Sequence, residues 1–589
     1  MRGMLRAALG SIGGAALAAA VAPIIRPLFS VPRVGVGAVT VAGYPKSWDY
    51  AVVALLVLGA FAGGALAGDR RSGGLQPGDD GRRAEARRST TVWLGAAIVF
   101  VLMIFVHDHP YALMDPFHEG EHVTAGWLMK SGERPYRDFY IFHGLAVDAG
   151  LDAMVMGDPP SPRPARRLQT FLDAATLALL VPIAAEVTAS AAALFGGVLL
   201  SLCATAAFWL PVFPFFRLLP VLAAAWALLR YARGGRAPAL FVAFAASTLG
   251  VVWSLDTGLY ALAGTVGAFV VMRVLKLEER PLALARVALL VVIALALPFL
   301  VLLAVRADIA RFLVDSFVIM PKAIDATWAL PAPEPLTANG VRYFLPPVFY
   351  GLALALGFLA WRRGDRRTAR TVVIVIIFAI LLFRTASGRV SWGHTRFAMP
   401  LLGIAVVAFV LEPLVRTRRS AVVAALLAIP LFFYFEVREN AVAGAKLIAE
   451  WPSRQKPEGL VPFPFASGRG ILTTPDNARD LAALGAAVDA LGPGTIFDFS
   501  NERALYYLLQ RKPATRCMEV SMLSVDRMLA EAMAELNARP PVAVIVRGYP
   551  EIEAFDGVSN RQRVPQLAAW IDANYPKRTE IGRFILATR

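Results

Sequence analysis

From residue 4 to about residue 435 the chain returns again and again to apolar runs long enough to cross a bilayer. A hydrocarbon core of roughly 30 Å needs about 20 apolar residues in helical form, and in lipid each segment must satisfy its own backbone N–H and C=O groups. Few folds meet both conditions. The runs fall at roughly 4–24, 50–68, 91–106, 168–186, 189–208, 215–231, 238–253, 257–273, 284–305, 343–361, 370–383, 397–415 and 420–435. They predict a polytopic α-helical membrane protein with about 11–13 transmembrane helices. Composition agrees: 57% of residues are hydrophobic, against about 45–50% in ordinary soluble domains. The first run, with Arg2 and Arg6 ahead of it and small residues before Pro23, also has the layout of a cleaved signal peptide.

The net charge of +16 would suit a nucleic-acid binder. Its distribution points elsewhere. The basic residues cluster in five short loops: Arg70 to Arg88, Arg230 to Arg236, Arg273 to Arg280, Arg362 to Arg370, and Arg416 to Arg419. Counting spans alternately puts all five on one side, which the positive-inside rule makes the cytoplasm. Arg163, Arg166 and Arg167 are the exception, and the loop near Glu186 carries no basic residue. A multi-pass protein of the plasma (inner) membrane is expected, with no nucleic acid among its partners. The loops 107–167, 254–256, 306–342 and 384–396 then lie outside, with everything after 436. All six histidines (107, 109, 118, 122, 143 and 394) lie there or at its edge. A transporter would more often carry ionisable groups mid-span.

Three regions are expected: a transmembrane hairpin and basic loop over 1–90, a transmembrane region over 91–435 with outer loops 107–167 and 306–342, and a soluble extracytoplasmic domain over 436–589. The last reads as a small α/β domain, with β-rich runs GTIFDFS, PVAVIVRG and GRFILATR between helical patterns. No glycine-rich phosphate loop follows its central strands. Cys203 and Cys517 are the only cysteines, so neither a disulfide nor a cysteine metal site is expected.

The residues best suited to chemistry sit in DPFHEGEH, 115–122. His118, Glu119 and His122 form H-E-x-x-H, the zinc-protease pattern of two imidazoles one helical turn apart with a carboxylate between them. Gly120 inside it weakens the required helix by about 1 kcal/mol relative to alanine, and no third ligand stands at a defined spacing. Alternatively Asp115 and Glu119 are the acids of a loop just outside a membrane helix.

The whole loop, EGEHVTAGWLMKSGERPYRDFYIFHG, resembles the first extracytoplasmic loop of the GT-C class of membrane glycosyltransferases, which includes protein O-mannosyltransferases and aminoarabinose transferases. Glu119-Gly120, Gly132, Pro135 to Phe139 and His143-Gly144 carry the likeness. His118 stands where the family often has its first acid, and Asp115 is near enough to take that role. WSLDTGLYALAG, with Asp256, and RTASGRVSWGHTRFAMP, with Gly393, His394 and Pro400, resemble two further family segments. The tail is similar to the exported domain of such enzymes.

The resemblance implies a GT-C-like fold and an enzyme, a hexosyl- or pentosyltransferase. It would take its sugar from a polyprenyl-phosphate donor and deliver it to a cell-envelope glycan, lipid or protein on the extracytoplasmic face. Asp115 and Glu119 are the expected catalytic acids. Arg137, Asp138, His143, Asp256, Arg384, Arg389, His394 and Arg396 are the expected substrate and donor-phosphate ligands. The chemistry needs a base for the acceptor hydroxyl and cations for the leaving phosphate. No cofactor is required and no protein metal ligand is assigned, although a divalent cation is compatible. Membrane lipids are the surrounding partners. The two rival classes are a zinc metalloprotease built on His118, Glu119 and His122, and a non-catalytic protein that binds or moves lipid-linked glycans.

Overall fold

The computed structural model describes residues 2–25, 47–67, 81–108, 113–208, 214–323, 327, 329–415, 429–450, 458–554 and 557–589. It is a polytopic α-helical protein with a small α/β domain at its C-terminal end. Among the described residues nine helices are long and apolar enough to cross a membrane, and Ala191–Ala204, Ala237–Trp253 and Leu402–Leu411 are shorter apolar helices. The expected span at 420–435 falls mostly outside the described residues. So do the basic side chains at 70–88 and 416–419, and His109.

The first two helices, Arg2–Ile25 and Ser47–Ala67, pack backbone to backbone. A Cβ on Gly14 would stand 1.9 Å from the Gly59 carbonyl oxygen, and one on Gly10 would stand 2.2 Å from that of Gly63. Lipid offers no hydrophobic gain for helix association, so close approach at small residues supplies the dispersion energy instead. The pair then rests against Ala338–Arg362.

Among the described residues, ion pairs and close packing gather three of the five basic loops at one end of the bundle. Glu186 lies 3.5 Å from Arg230 and 3.3 Å from Arg233. Arg370 lies 2.6 Å from Glu279, and Gly235 packs on Arg280. The spans that leave this end, Phe215–Gly234, Leu255–Val274 and Arg366–Gly388, are each 20 residues or more. At 1.5 Å per residue their far ends lie about 30 Å away. Arg217, Asp256 and Arg384 stand at those far ends.

Above that second end sits the C-terminal domain. Its sheet runs in the order Ile496–Asp498, Ala543–Arg547, Phe584–Thr588, Lys577–Ile581. The first two strands are parallel and the others antiparallel. Helices Pro475–Ala490, Asp526–Ala538 and Pro565–Asn574 accompany it. The strand Lys577–Ile581, KRTEI, lacks an apolar alternation because it is an exposed edge, where charged side chains discourage pairing with another chain.

The first long loop belongs to this upper layer. Its helix, His118–Lys130, buries Val123, Ala125, Trp127 and Leu128 in one core with Leu481, Ile496 and Tyr506 of the tail. Gly120 explains the close fit, since a Cβ there would stand 2.4 Å from the Ala504 backbone nitrogen.

Candidate functional site

The junction of the two layers encloses a cavity of about 580 Å³. The loop helix contributes His118, Glu121 and His122, and the segment after it His143 and Asp148. The span ends contribute Arg217, Asp256, Tyr260, Arg384, Arg389 and His394, and the C-terminal domain Arg503 and Glu519. Phe117, Phe142, Leu259, Met320 and Trp392 give it apolar walls.

One wall is acidic. Glu121 is 7% exposed. Its Oε2 lies 3.2 Å from Arg503 Nη2, and its Oε1 lies 3.2 Å from His143 Nδ1. The same His143 nitrogen is 3.3 Å from Asp148 Oδ1. Asp148 Oδ2 accepts the backbone N–H groups of Phe142 and His143 at 2.8 and 2.6 Å, which folds the segment back on itself. Gly144 follows because a Cβ there would meet Ser254 Cα and the Trp253 carbonyl oxygen at 2.7 Å. That approach lets the His143 carbonyl accept from Leu255 N at 2.5 Å, joining the loop to the helix that carries Asp256.

Burial pushes the Glu121 carboxyl up, but Arg503 foremost, then His143, hold it well below the usual carboxylate range. Burial pushes His143 down, and Glu121 and then Asp148 more than reverse that, lifting it to about 9. For His122, Asp152 outweighs burial in the same way, and its pKa also rises to about 9. Glu121, His143 and Asp148 have the spacing of a three-ligand cation site. His143 lies between the two carboxylates, and Arg503 stands beside Glu121.

The other wall is cationic. Arg217 Nη2 donates to both oxygens of Asp256 at 2.9 Å, and its Nε donates to Ser254 at 3.2 Å. The turn that carries it is fixed on two sides. Asp173 accepts Phe216 N at 2.6 Å, and Thr257 donates to the Arg217 carbonyl at 2.6 Å. Arg384 lies over the Tyr50 ring at 5.0 Å. Burial, then the Arg389 and Arg217 charges, push His394 down to about 3, so near neutral pH it is an uncharged imidazole, held 2.8 Å from the Ser391 hydroxyl.

The sequence-derived residues therefore divide. His143, Asp256, Arg384, Arg389 and His394 meet in the cavity. Asp115 stands behind its wall: Oδ1 accepts from Phe117 N and His118 N at 2.9 Å, and Oδ2 lies 2.8 Å from His118 Nδ1. Glu119 turns away and takes a bidentate pair from Arg166 at 2.6 and 2.7 Å. Arg166 belongs to the basic cluster that broke the positive-inside count, and this carboxylate is its partner. Arg137 and Asp138 pair with each other at 2.8 Å on the exposed side of the loop. Arg396 is buried elsewhere, against Glu436 and the Cys203 carbonyl. Of the H-E-x-x-H imidazoles, His118 is held by Asp115 and His122 by Asp152, two separate carboxylates.

Glu121, Asp148, Arg217, Arg503 and Glu519 were not singled out from sequence. A signal existed for Arg217, an isolated charge between two apolar runs. None existed for Arg503 and Glu519, which lie far from the loop in sequence.

One consequence is a pH dependence. His122 and His143 gain partners on folding and rise from 6.5 to about 9. Their contribution to stability is complete below pH 6.5 and is lost as pH passes through about 9. The unfolding temperature of the purified protein should fall between those pH values, and a His143→Gln variant should show a flatter profile. An identical fall in that variant would disprove the assignment for His143.

Neither a scan of protein-family models nor a search of curated proteins returned a match. Among solved structures the chain is similar to ArnT from Cupriavidus metallidurans bound to undecaprenyl phosphate, with 16% identity over 85% of this chain and 98% of that one and a TM-score of 0.48. The apo state of that protein matches with 15% identity, the same coverage and a TM-score of 0.47. Arabinosyltransferase EmbB from Mycobacterium smegmatis matches with 13% identity over 89% of this chain and 47% of that one, at a TM-score of 0.34.

Proposed function

We propose that the protein is a membrane glycosyltransferase that moves a sugar from a polyprenyl-phosphate donor to a cell-envelope acceptor on the extracytoplasmic side. The observation that carries this reading is the cavity at the ends of the spans, where a buried carboxylate faces a cationic wall across apolar surface. A lipid-linked sugar needs these three things together: a path for its chain, cations for its phosphate and a base for the incoming hydroxyl.

In the reaction an acceptor oxygen attacks the anomeric carbon. The new C–O bond forms as the bond from that carbon to the phosphate oxygen breaks. The hydroxyl proton passes to Glu121, which faces the cavity and is ionised. The phosphate leaves as polyprenyl phosphate, its charge met by Arg217, Arg384 and Arg389, with neutral His394 donating a hydrogen bond. Asp115 acts through His118, orienting that imidazole at the cavity edge. Asp256 fixes Arg217. Glu119 anchors the loop helix through Arg166.

The test is binding of undecaprenyl phosphate to the purified protein, with Arg384→Gln and Arg389→Gln as variants. Each lost charge-assisted contact should weaken binding by about 10- to 150-fold, for a loss of about 1.5–3 kcal/mol. Unchanged affinity in the double variant would remove the cationic wall from the donor site. The orientation is tested separately: reporter fusions after Gly235 and after Asn440 should report opposite compartments. The same compartment for both would place cavity and basic loops wrongly.

A further inference from the structure

Arg503 comes from the C-terminal domain, more than 370 residues beyond the loop helix in sequence, yet it lies in the cavity wall. It is 3% exposed. Nη2 lies 3.2 Å from Glu121 Oε2 and Nη1 lies 2.8 Å from Glu519 Oε2. Its guanidinium carbon stands 4.3 Å from the centre of the Phe117 ring. Glu519, 4% exposed, also takes the Ser521 hydroxyl. A cation thus bridges two buried carboxylates, one from each layer.

The turn that delivers Arg503 is over-determined. Asn501 has φ of 65°, the left-handed region that asparagine tolerates better than most side chains. Its side chain accepts Val520 N at 3.2 Å and donates to Asn560 Oδ1 at 3.0 Å, so the turn is tied to the segment that carries Glu519. Asp498 accepts both the amide and the hydroxyl of Ser500, at 2.9 and 2.6 Å. Glu502 accepts Tyr549 N at 2.6 Å and pairs with Arg583, which is stacked 3.6 Å from the Tyr549 ring centre. Across the junction, Thr124 donates to the Arg503 carbonyl at 2.8 Å and Ala504 N donates to the Pro116 carbonyl at 3.0 Å. Around these charges the same junction is closed by ordinary apolar packing. A buried arginine between two glutamates is a poor source of stability, since apolar residues of similar volume do as well or better. Held strain and buried charge of this kind point to a functional demand.

We propose that Arg503, with Glu519 as its counter-ion, is a positioning residue for Glu121, so that the C-terminal domain is part of the active site rather than an appendage to it. The proposal rests on Glu121 as the base. Arg503 and His143 each stand 3.2 Å from one carboxylate oxygen and hold the group by charge. Arg503 also keeps the buried group ionised. The titratable and charged groups facing Glu121 are His118 and His122 on its own helix, His143 and Asp148 on the following segment, Arg217 at the span end, and Arg503 with Glu519. Removing the arginine leaves burial to push the carboxyl up. Removing the Glu519 charge leaves Arg503 wholly to Glu121 and pushes it further down.

The experiment measures sugar transfer from a polyprenyl-phosphate donor by the full-length protein across pH, with Arg503→Met, Arg503→Lys, Glu519→Gln and Glu121→Gln. Arg503→Met should lower kcat by about 10²-fold, leave KM for the donor within about threefold, and move the acidic limb of the pH profile upward. Arg503→Lys should recover part of both effects. Glu519→Gln should lower kcat without raising the limb, because Arg503 loses the counter-ion that holds it while Glu121 stays ionised. A merely structural arginine would lower the yield of folded protein and leave the limb in place. If Arg503→Met does not fold, Arg503→Lys and Glu519→Gln decide, and a normal kcat in both overturns the proposal. Full activity in Glu121→Gln would instead overturn the base assignment itself. An inactive Glu121→Gln beside a normal Arg503→Met would sink the positioning role alone.

Discussion

Glu121→Gln is expected to reduce sugar transfer by about 10²–10⁴-fold, the usual effect of removing a general base. The substitution keeps size and shape and removes only the charge that receives the proton. The loop helix should remain in place, because its apolar side is buried in the core of the C-terminal domain. KM for the lipid donor should change little, since the cationic wall is untouched. Asp115→Asn should be milder, on the order of tenfold, because Asp115 reaches the cavity only through His118. Glu119→Gln should act chiefly on stability by weakening the pair with Arg166. The ranking is checked by initial rates in detergent or liposomes. If Asp115→Asn is dead and Glu121→Gln is active, the acid behind the wall is the base and the geometry has been misassigned.

The second large effect concerns Arg516. This residue is 4% exposed and ties the C-terminal domain to two outer loops. It donates to Asp315 at 2.5 Å, to Glu531 at 3.0 Å and to the Tyr136 carbonyl at 3.1 Å. Arg516→Ala would leave Asp315 buried without its cation. Breaking such a pair typically costs about 3–5 kcal/mol. The expected result is a marked drop in unfolding temperature and early proteolytic cleavage between the domain and the bundle. Arg516→Lys, a point charge in place of a planar fork, should recover only part of it. An alanine variant with unchanged unfolding temperature would show that the domain is held by its apolar contacts alone.

Much of the fold was open to reading because lipid imposes its rules on one segment at a time. Each span must be apolar for about 20 residues and must satisfy its own hydrogen bonds, so helices such as Leu284–Ala304 announce themselves locally. Counting put the basic loops on one side, and among the described residues the contacts joining Glu186 to Arg230, Gly235 to Arg280 and Arg370 to Glu279 bring three of the five to one end. In the tail, three strands showed their β-rich composition. The fourth, Lys577–Ile581, did not, because an exposed edge carries no apolar pattern.

The candidate site was legible only in part, and the division follows from how the information is stored. Residue type and local spacing marked the loop 115–144, and of the residues singled out there and in the later loops His143, Asp256, Arg384, Arg389 and His394 meet in the cavity. Spacing alone could not say which acid of Asp115, Glu119 and Glu121 faces inward. On a helix, residues two apart point to different sides, and only the packing of His118–Lys130 against the C-terminal domain sets its rotation. Gly120 meeting Ala504 turns Glu121 to the cavity and Glu119 to Arg166. The sequence by itself determined the long apolar helices and marked the loop 115–144 as the candidate for chemistry, because each is written in neighbouring residues. Only the tertiary structure decided the identity of the inward carboxylate and the presence of Arg503 beside it. Those depend on contacts across more than 370 residues of chain, and no local pattern encodes them.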